Sequence, residues 1–152
     1  MSFRGLSKVT LDAKGRLAIP SRYRDEIISR SEGKLVATVN TDLSLLIYPE
    51  VAWDEVEREL LQLPNLHEET ERLQELLLGH AMDMELDNQG RVLVPRELRE
   101  FAGLEQKAML IGRGKRFALW DEQRYLEHRT TLIEKKTSDF KDLPDSLARF
   151  KY

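Results

Sequence analysis

This chain says one thing twice, and that limits its fold more than any other feature. The stretch LDAKGRLAIPSRYRDEI at residues 11–27 returns 75 residues later as LDNQGRVLVPRELREFA. Aligned without gaps, Leu11, Asp12, Gly15, Arg16, Pro20 and Arg24 fall on Leu86, Asp87, Gly90, Arg91, Pro95 and Arg99, and most other apolar positions match in kind. Further along, Tyr48 and Trp53 are echoed by Trp120 and Tyr125 at the same five-residue spacing, although the offset has dropped to 72. An internal repeat means one supersecondary unit used again. Each copy runs to about 45 residues, too short to be more than marginal alone, so the two are expected to share one core.

The 152-residue chain falls in the size range of a single domain and is long enough to bury a real core. It has no cysteine, which removes disulfides and thiolate metal sites and suits a reducing cytosol. No apolar run approaches a membrane span, and MSFRGLSKVT lacks a signal-peptide core, so a soluble cytoplasmic protein is expected. The formal net charge of -3 argues at first against a nucleic-acid partner, but the charge is unevenly spread. Residues 1–34 carry eight Lys/Arg against four Asp/Glu, whereas residues 50–79 carry two against nine. Such asymmetry can hold an anionic ligand at one face while the rest of the surface repels it.

Both copies predict the order β-β-α-β-β. In the first, the run FRGLSKVTLD with Leu6, Val9 and Leu11 predicts a strand, AKG a turn, and RLAIP a short strand with Leu17 and Ile19 on one face, together a β-hairpin. Pro20 suits the first turn of a helix, and SRYRDEI sets Tyr23 and Ile27 four apart on one helical face. KLVATVN and SLLIYP then predict a second hairpin around Thr41 and Asp42. The second copy repeats this as MDMELD, RVLVP, the helix RELREFAG ended by Gly103, then KAMLIGRG and RFALW. Between the copies, EVAWDEVERELLQL and HEETERLQELLLGH are amphipathic helices broken at Pro64. A third helix is expected after Asp121, with Tyr125, Leu132 and Ile133 on its apolar side, and KDLPDSLARFKY is expected to be a loosely ordered tail. These limits give repeat 1 at 6–52, a helical linker at 53–80, repeat 2 at 81–124, and a C-terminal helix and tail at 125–152.

The chemistry of Asp12, Gly15 and Arg16 has two readings. An Asp at the mouth of a tight turn accepts backbone N–H bonds, Gly supplies a left-handed φ, and an Arg four residues on can return to form a charge-assisted pair. On that reading Asp12, Gly15, Asp87, Gly90 and Arg91 are scaffold. Arg16 and Arg91 are less settled, because an arginine just past a hairpin tip can also reach a phosphate or a guanine edge.

The duplicated DAKGR and DNQGR, each followed by apolar residues and proline, with LLLGHA between them and FRG at the start, resemble the MraZ family of bacterial regulators. The resemblance covers essentially the whole chain. It implies an α+β fold, tandem β-β-α-β-β repeats of the SpoVT/AbrB type interlocked as a pseudo-twofold swapped-hairpin barrel with peripheral α-helices. Single-copy relatives need two chains to complete that barrel, and one chain here would supply both halves. The resemblance further implies sequence-specific binding to double-stranded DNA by ring-shaped homo-oligomers. The target implied is a set of short direct repeats upstream of the division and cell-wall gene cluster, including the protein's own promoter, with a nucleoid-associated location.

Residues decide which copy would touch DNA. Lys8, Thr10, Lys14 and Arg22 of the first copy become Asp83, Glu85, Gln89 and Glu97 in the second, so the second would repel phosphate. Charge neutralisation therefore favours Arg4, Lys8, Lys14, Arg16, Arg22 and Arg24, with Lys14 and Arg16 at the tip best placed for groove entry. Ordinary solvated charge is the competing account of each.

Other constellations carry less. Asp83, Glu85 and Asp87 alternate as a strand face would and form only a weak metal pattern. His67, His80 and His128 lack ligand spacing, and His80 is expected to pack or hydrogen-bond at a helix end. GRGK at 112–115 lacks the rest of a phosphate loop and is better explained as a glycine hairpin turn. Tyr48, Trp53, Trp120 and Tyr125 are expected in the core. No nucleophile with a base, convincing metal set or phosphate loop stands out, so an enzyme is the poorest reading and no cofactor is expected. An oligomeric protein-interaction scaffold with an incidental basic face is the alternative to a DNA-binding regulator.

Overall fold

The computed structural model describes residues 2–152, apart from the side chain of Thr137. One compact unit reaches to Glu122 and a second runs from Gln123 to Tyr152. The first copy contributes β1 (Phe3–Thr10), β2 (Arg16–Ala18), α1 (Ser21–Ser31), β3 (Lys34–Val39) and β4 (Leu45–Pro49). Then come α2 (Glu50–Leu61), α3 (Glu68–Leu73) and a π-helical turn, Gln74–Leu78. The second copy contributes β5 (Met82–Glu85), β6 (Arg91–Leu93), α4 (Arg96–Ala102), β7 (Lys107–Gly114) and β8 (Phe117–Asp121).

Local sequence accounts for the element ends. Pro20 and Pro95 precede α1 and α4 with φ of -52° and -56°, needing no N–H there. α1 ends in a left-handed Glu32 and α4 in a left-handed Gly103, the latter as its glycine predicts. Tyr23 and Ile27 are buried on one face of α1, as their spacing requires. The GRGK stretch closes β7 onto β8, Gly114 taking φ +80° while Arg113 N–H donates to the Arg116 carbonyl at 2.8 Å.

Strand pairing corrects one expectation. β1 and β2 form no extended hairpin ladder and meet only near the turn, through the antiparallel Leu11–Leu17 bridge and the bond from Asp12 N–H to the Arg16 carbonyl at 2.9 Å. β1 instead pairs along its length with β7, roughly a hundred residues downstream, as Leu6 with Ile111 and Val9 with Ala108. β5 likewise pairs with β3 of the first copy, and β2 pairs with β6. Among the described residues the extended hairpin ladders within a copy are β3–β4 and β7–β8. The reason lies in length: a ladder of eight pairs against β7 satisfies far more backbone groups on β1 than the three-residue β2 offers.

The resulting six-stranded sheet has the order β1-β7-β8-β4-β3-β5, with the β3–β4 and β7–β8 hairpins of the two copies meeting at β4–β8, where Leu46 lies opposite Ala118. One core serves both copies. Phe3 stacks on Phe117 at 4.3 Å between ring centroids, with the Tyr23 ring edge-on to both. The same cluster takes Leu17, Ile19 and Ile27 from the first copy and Val92, Val94 and Leu98 from the second. On the other face of the sheet, Val36, Leu46 and Tyr48 pack against Ala52 and Trp53 of α2. Trp120 is also buried, whereas Tyr125 is half-buried.

The helices after the first copy break around Pro64 as expected. The π-turn shows why LLLGH closes as it does. Gly79 N–H reaches back to the Gln74 carbonyl at 3.1 Å, and the Thr38 hydroxyl donates to the Leu77 carbonyl at 2.7 Å. His80 Nδ1 lies 3.2 and 3.0 Å from the carbonyls of Glu75 and Leu76, so it donates there at the helix end.

α5 (Glu122–Glu134) begins directly after Asp121, but Leu132 and Ile133 are 54% and 76% exposed. The pattern names the apolar side of a helix, not whether the chain has a surface to receive it. The expected loose tail instead holds a short helix, α6 (Asp145–Ala148), because Pro144 at φ -57° presets its start. Among the described residues no helix is long and apolar enough to cross a membrane.

Candidate nucleic-acid interface

The two repeated turns have the same geometry. In the first, Asp12 Oδ1 accepts the backbone N–H of Lys14 at 3.0 Å and of Arg16 at 2.9 Å, while Oδ2 accepts Arg16 Nε–H at 2.7 Å. In the second, Asp87 Oδ1 accepts from Gln89 N–H at 2.8 Å and Arg91 N–H at 2.9 Å, and Oδ2 from Arg91 Nε–H at 3.0 Å. The backbone N–H of Arg16, above all, holds the Asp12 carboxyl below the ordinary carboxylate range; desolvation opposes it, and the Arg16 guanidinium and Lys14 N–H add to the lowering. Asp87 is lowered by the matching groups, led by Arg91 N–H. Gly15 and Gly90 take φ of +89° and +74°, which L side chains adopt only with strain.

Each turn is seated on the other copy. The Gly15 carbonyl accepts Val94 N–H and the Gly90 carbonyl accepts Ile19 N–H, both at 3.0 Å. Arg99 lies under Gly15 so closely that a Cβ there would fall 2.5 Å from its Nε and Cζ, and Arg24 lies in the same way under Gly90. Both arginines are half-buried and bond locally, Arg24 Nε–H to the Ile19 carbonyl at 2.5 Å and Arg99 Nε–H to the Val94 carbonyl at 2.9 Å. Arg24, a candidate for nucleic-acid contact, therefore stands where its counterpart does, beneath the opposite turn.

What differs between the turns is charge. Lys14 gives its backbone N–H to Asp12 and exposes its side chain at the tip, where the second copy has Gln89. Arg16, paired to Asp12, keeps 31% of its side chain exposed, the same figure as Arg91. The other candidates lie elsewhere. Arg4 and Lys8 are exposed on β1, and Arg4 is set back from the tip by about 20 Å at the usual strand rise. Arg22 on α1 donates through Nη2 to Ser7 Oγ at 2.7 Å, with its guanidinium 4.7 Å from the Tyr23 ring centroid. Tyr23 Oη–H in turn donates to the Arg4 carbonyl at 2.5 Å. The structure thus separates the six candidates into a tip, a sheet edge and a half-buried support.

Sequence reasoning missed cations of the second copy. Exchange of β1 onto β7 sets Arg113 directly opposite Arg4 and Lys107 opposite Thr10. Arg116, just past the β7–β8 turn, donates through Nη1 to Tyr48 Oη at 3.0 Å. Counting charge by copy hid this, because the basic edge is built by both copies. The strand exchange implied by the family resemblance was the signal that pointed to it. Among the described residues no group of three or more His, Cys, Asp or Glu is placed to hold a metal ion, Asp83 and Glu85 included.

Fold and site together define a class: a duplicated α+β protein whose two halves support each other's turns, of which only the first carries a lysine at its tip. The chain belongs to the MraZ family. The family described as "MraZ protein, putative antitoxin-like" matches it twice, at residues 2–76 and 77–143. The chain is 45% identical over 146 residues to the "Transcriptional regulator MraZ" of Halorhodospira halophila, a match covering 95% of this chain and 96% of that protein. It is 48% identical to the protein of that name from Thioalkalivibrio sulfidiphilus, over 84% of this chain and 85% of the relative. With that of Pseudomonas aeruginosa it is 54% identical, over 79% and 80%. Transcription regulation, not catalysis, is the function class these names carry.

Proposed function

We propose that this chain is a sequence-specific DNA-binding transcriptional regulator. It acts as a ring-shaped homo-oligomer on short direct repeats upstream of the division and cell-wall gene cluster, its own promoter among them, in the cytoplasm and at the nucleoid. One observation carries the reading: two turns of matching geometry, of which one bears Lys14 and the other Gln89. A scaffold needs the shared geometry but has no use for the charge difference. Family membership and the names of the relatives support the same conclusion. The exchange of β1 and β5 between copies, with β2 on β6, supports a swapped-hairpin barrel in which 6–52 and 81–124 are the two repeats.

In this mechanism the Asp12 carboxylate and Gly15 hold the turn rigid, so that Lys14 enters a groove at little cost in ordering. Arg16 reaches DNA with the part of its guanidinium that Asp12 does not engage. Arg24 supports the Gly90 turn instead of touching DNA, since its Nε–H is committed to Ile19. One tip on an acidic protein holds DNA weakly at physiological salt. Several identical tips on one assembly raise the effective concentration of each next contact, increasing affinity on the order of 10² to 10⁴.

The test is a binding titration on two target repeats at fixed salt, with the spacing varied. Inserting about 5 base pairs, half a helical turn, should weaken binding strongly, and inserting about 10 should largely restore it. Indifference to the half-turn insertion would remove the multivalent mechanism. Absence of retention on promoter DNA at any salt would leave the scaffold reading in its place.

A further inference from the structure

The six-stranded sheet ends in two terminal strands, β1 and β5, and α1 already covers part of the β1 edge, where Tyr23 Oη–H donates to the Arg4 carbonyl. Every ladder in it is antiparallel, so direction alternates and the two terminal strands run opposite ways. They are also matched positions of the repeat, equivalent in geometry but opposite in charge. The β1 edge bears Lys8 and, held across it by the bond to Ser7, Arg22. The β5 edge bears exposed Asp83 and Glu85, and exposed Glu97 stands on α4 at the position of Arg22. Lys34, opposite Glu85 in the β3–β5 ladder, offsets part of the acidic edge, and Lys107, opposite Thr10, adds to the basic one. Leu6, 44% exposed on β1, adds apolar surface.

Charges on edge strands ordinarily prevent edges from meeting. One sign on each edge does something narrower. It forbids β1 against β1 and β5 against β5, and favours β1 against β5, which is specificity by repulsion as well as attraction. Such a contact is heterologous, joining two different surfaces of the same chain, and it propagates into a ring when the rotation per step closes.

We propose that the β1 edge of one copy docks on the β5 edge of a second copy, with Lys8 and Arg22 facing Asp83, Glu85 and Glu97. This rests on the reading that the chain self-assembles, and it names the surfaces that do so. It reassigns Lys8 and Arg22 from DNA to assembly. A second consequence follows from strand direction. The Lys14 turn follows β1 and the Gln89 turn follows β5, so the two turns lie at opposite ends of antiparallel strands. Repetition that preserves strand direction gathers all Lys14 turns on one rim of the assembly and all Gln89 turns on the other. A single cationic rim is what a line of DNA repeats can follow.

The experiment uses two full-length variants, each copying what the other half already carries at the matched position. One is Lys8→Asp with Arg22→Glu, giving two acidic edges; the other is Asp83→Lys with Glu97→Arg, giving two basic edges. Mass is measured without DNA by light scattering, alongside far-UV circular dichroism. Each variant alone should fall to the mass of one chain, and an equimolar mixture should reassemble, because unlike edges then alternate. In a parallel measurement on the unaltered protein, raising salt from about 0.05 M to about 1 M, which shrinks the Debye length severalfold, should dissociate the assembly. Variants that keep the unaltered protein's mass, a mixture that stays dispersed, or an assembly indifferent to salt would each overturn this interface while leaving self-assembly standing. Unaltered protein that is monomeric at every concentration would instead remove the self-assembly reading itself. Variants of unchanged mass that lose DNA retention would return Lys8 and Arg22 to the DNA surface.

Discussion

Substituting Gly15 by alanine tests whether the two copies truly hold each other's turns. A Cβ at Gly15 would lie 2.5 Å from Arg99 Nε and Cζ and 2.7 Å from Nη1, and the residue sits at φ +89°. Two costs arise. The left-handed backbone with a Cβ costs about 1 to 2 kcal/mol. Displacing Arg99 breaks its 2.9 Å bond to the Val94 carbonyl, costing about 1 to 2 kcal/mol more, since a bond from a charged donor is worth somewhat more than a neutral one. The sum is about 2 to 4 kcal/mol, a large share of the roughly 5 to 15 kcal/mol that stabilises a domain. Arg99→Ala alone loses only the bond. In that background Gly15→Ala meets no guanidinium and should cost only its backbone strain, so the double-mutant cycle should show about 1 to 2 kcal/mol of coupling. Urea unfolding followed by circular dichroism at one fixed protein concentration gives the four stabilities. Strict additivity, with Gly15→Ala costing the same in both backgrounds, would show that Arg99 yields freely and that the interlock contributes nothing.

Two further outcomes follow from the turns. Lys14→Gln should lower the slope of log affinity against log salt by about 1 for each engaged tip while leaving the melting temperature unchanged, because the bond to Asp12 comes from the backbone N–H; an unchanged slope in DNA titrations would remove Lys14 from the contact. Asp87 is held below the ordinary carboxylate range when folded, so its contribution is complete above the unfolded value and is lost as pH falls through that range toward the lower folded one. Asp87→Asn should therefore flatten the acid limb of the melting temperature against pH between about 5 and 2, and an acid limb identical to that of the unaltered protein would refute the role.

The site was only partly legible in the sequence. Asp12 with Gly15 and Arg16 could be read as a turn because every interaction that forms it is local, within five residues. The seat of Arg24 could not be read. Its repetition as Arg99 marked it as important to both copies, but only the packing shows that each lies beneath the glycine of the opposite turn. Arg113 was hidden for the same reason, since nothing near GRGK indicates that Arg4 faces it across a ladder.

The sequence by itself determined the duplication, the β-β-α-β-β order, the faces of α1 and α4, and the proline and glycine that bound α4. These are set by periodicity, φ restriction and turn chemistry, which act over a few residues. Tertiary structure alone decided which strand pairs with which. A strand's own residues state which side is apolar, but its N–H and C=O groups are the same as those of any other strand. The partner of β1 is therefore chosen by length, core packing and chain geometry across roughly a hundred residues, and with it the basic edge, the acidic edge and the seat of each turn.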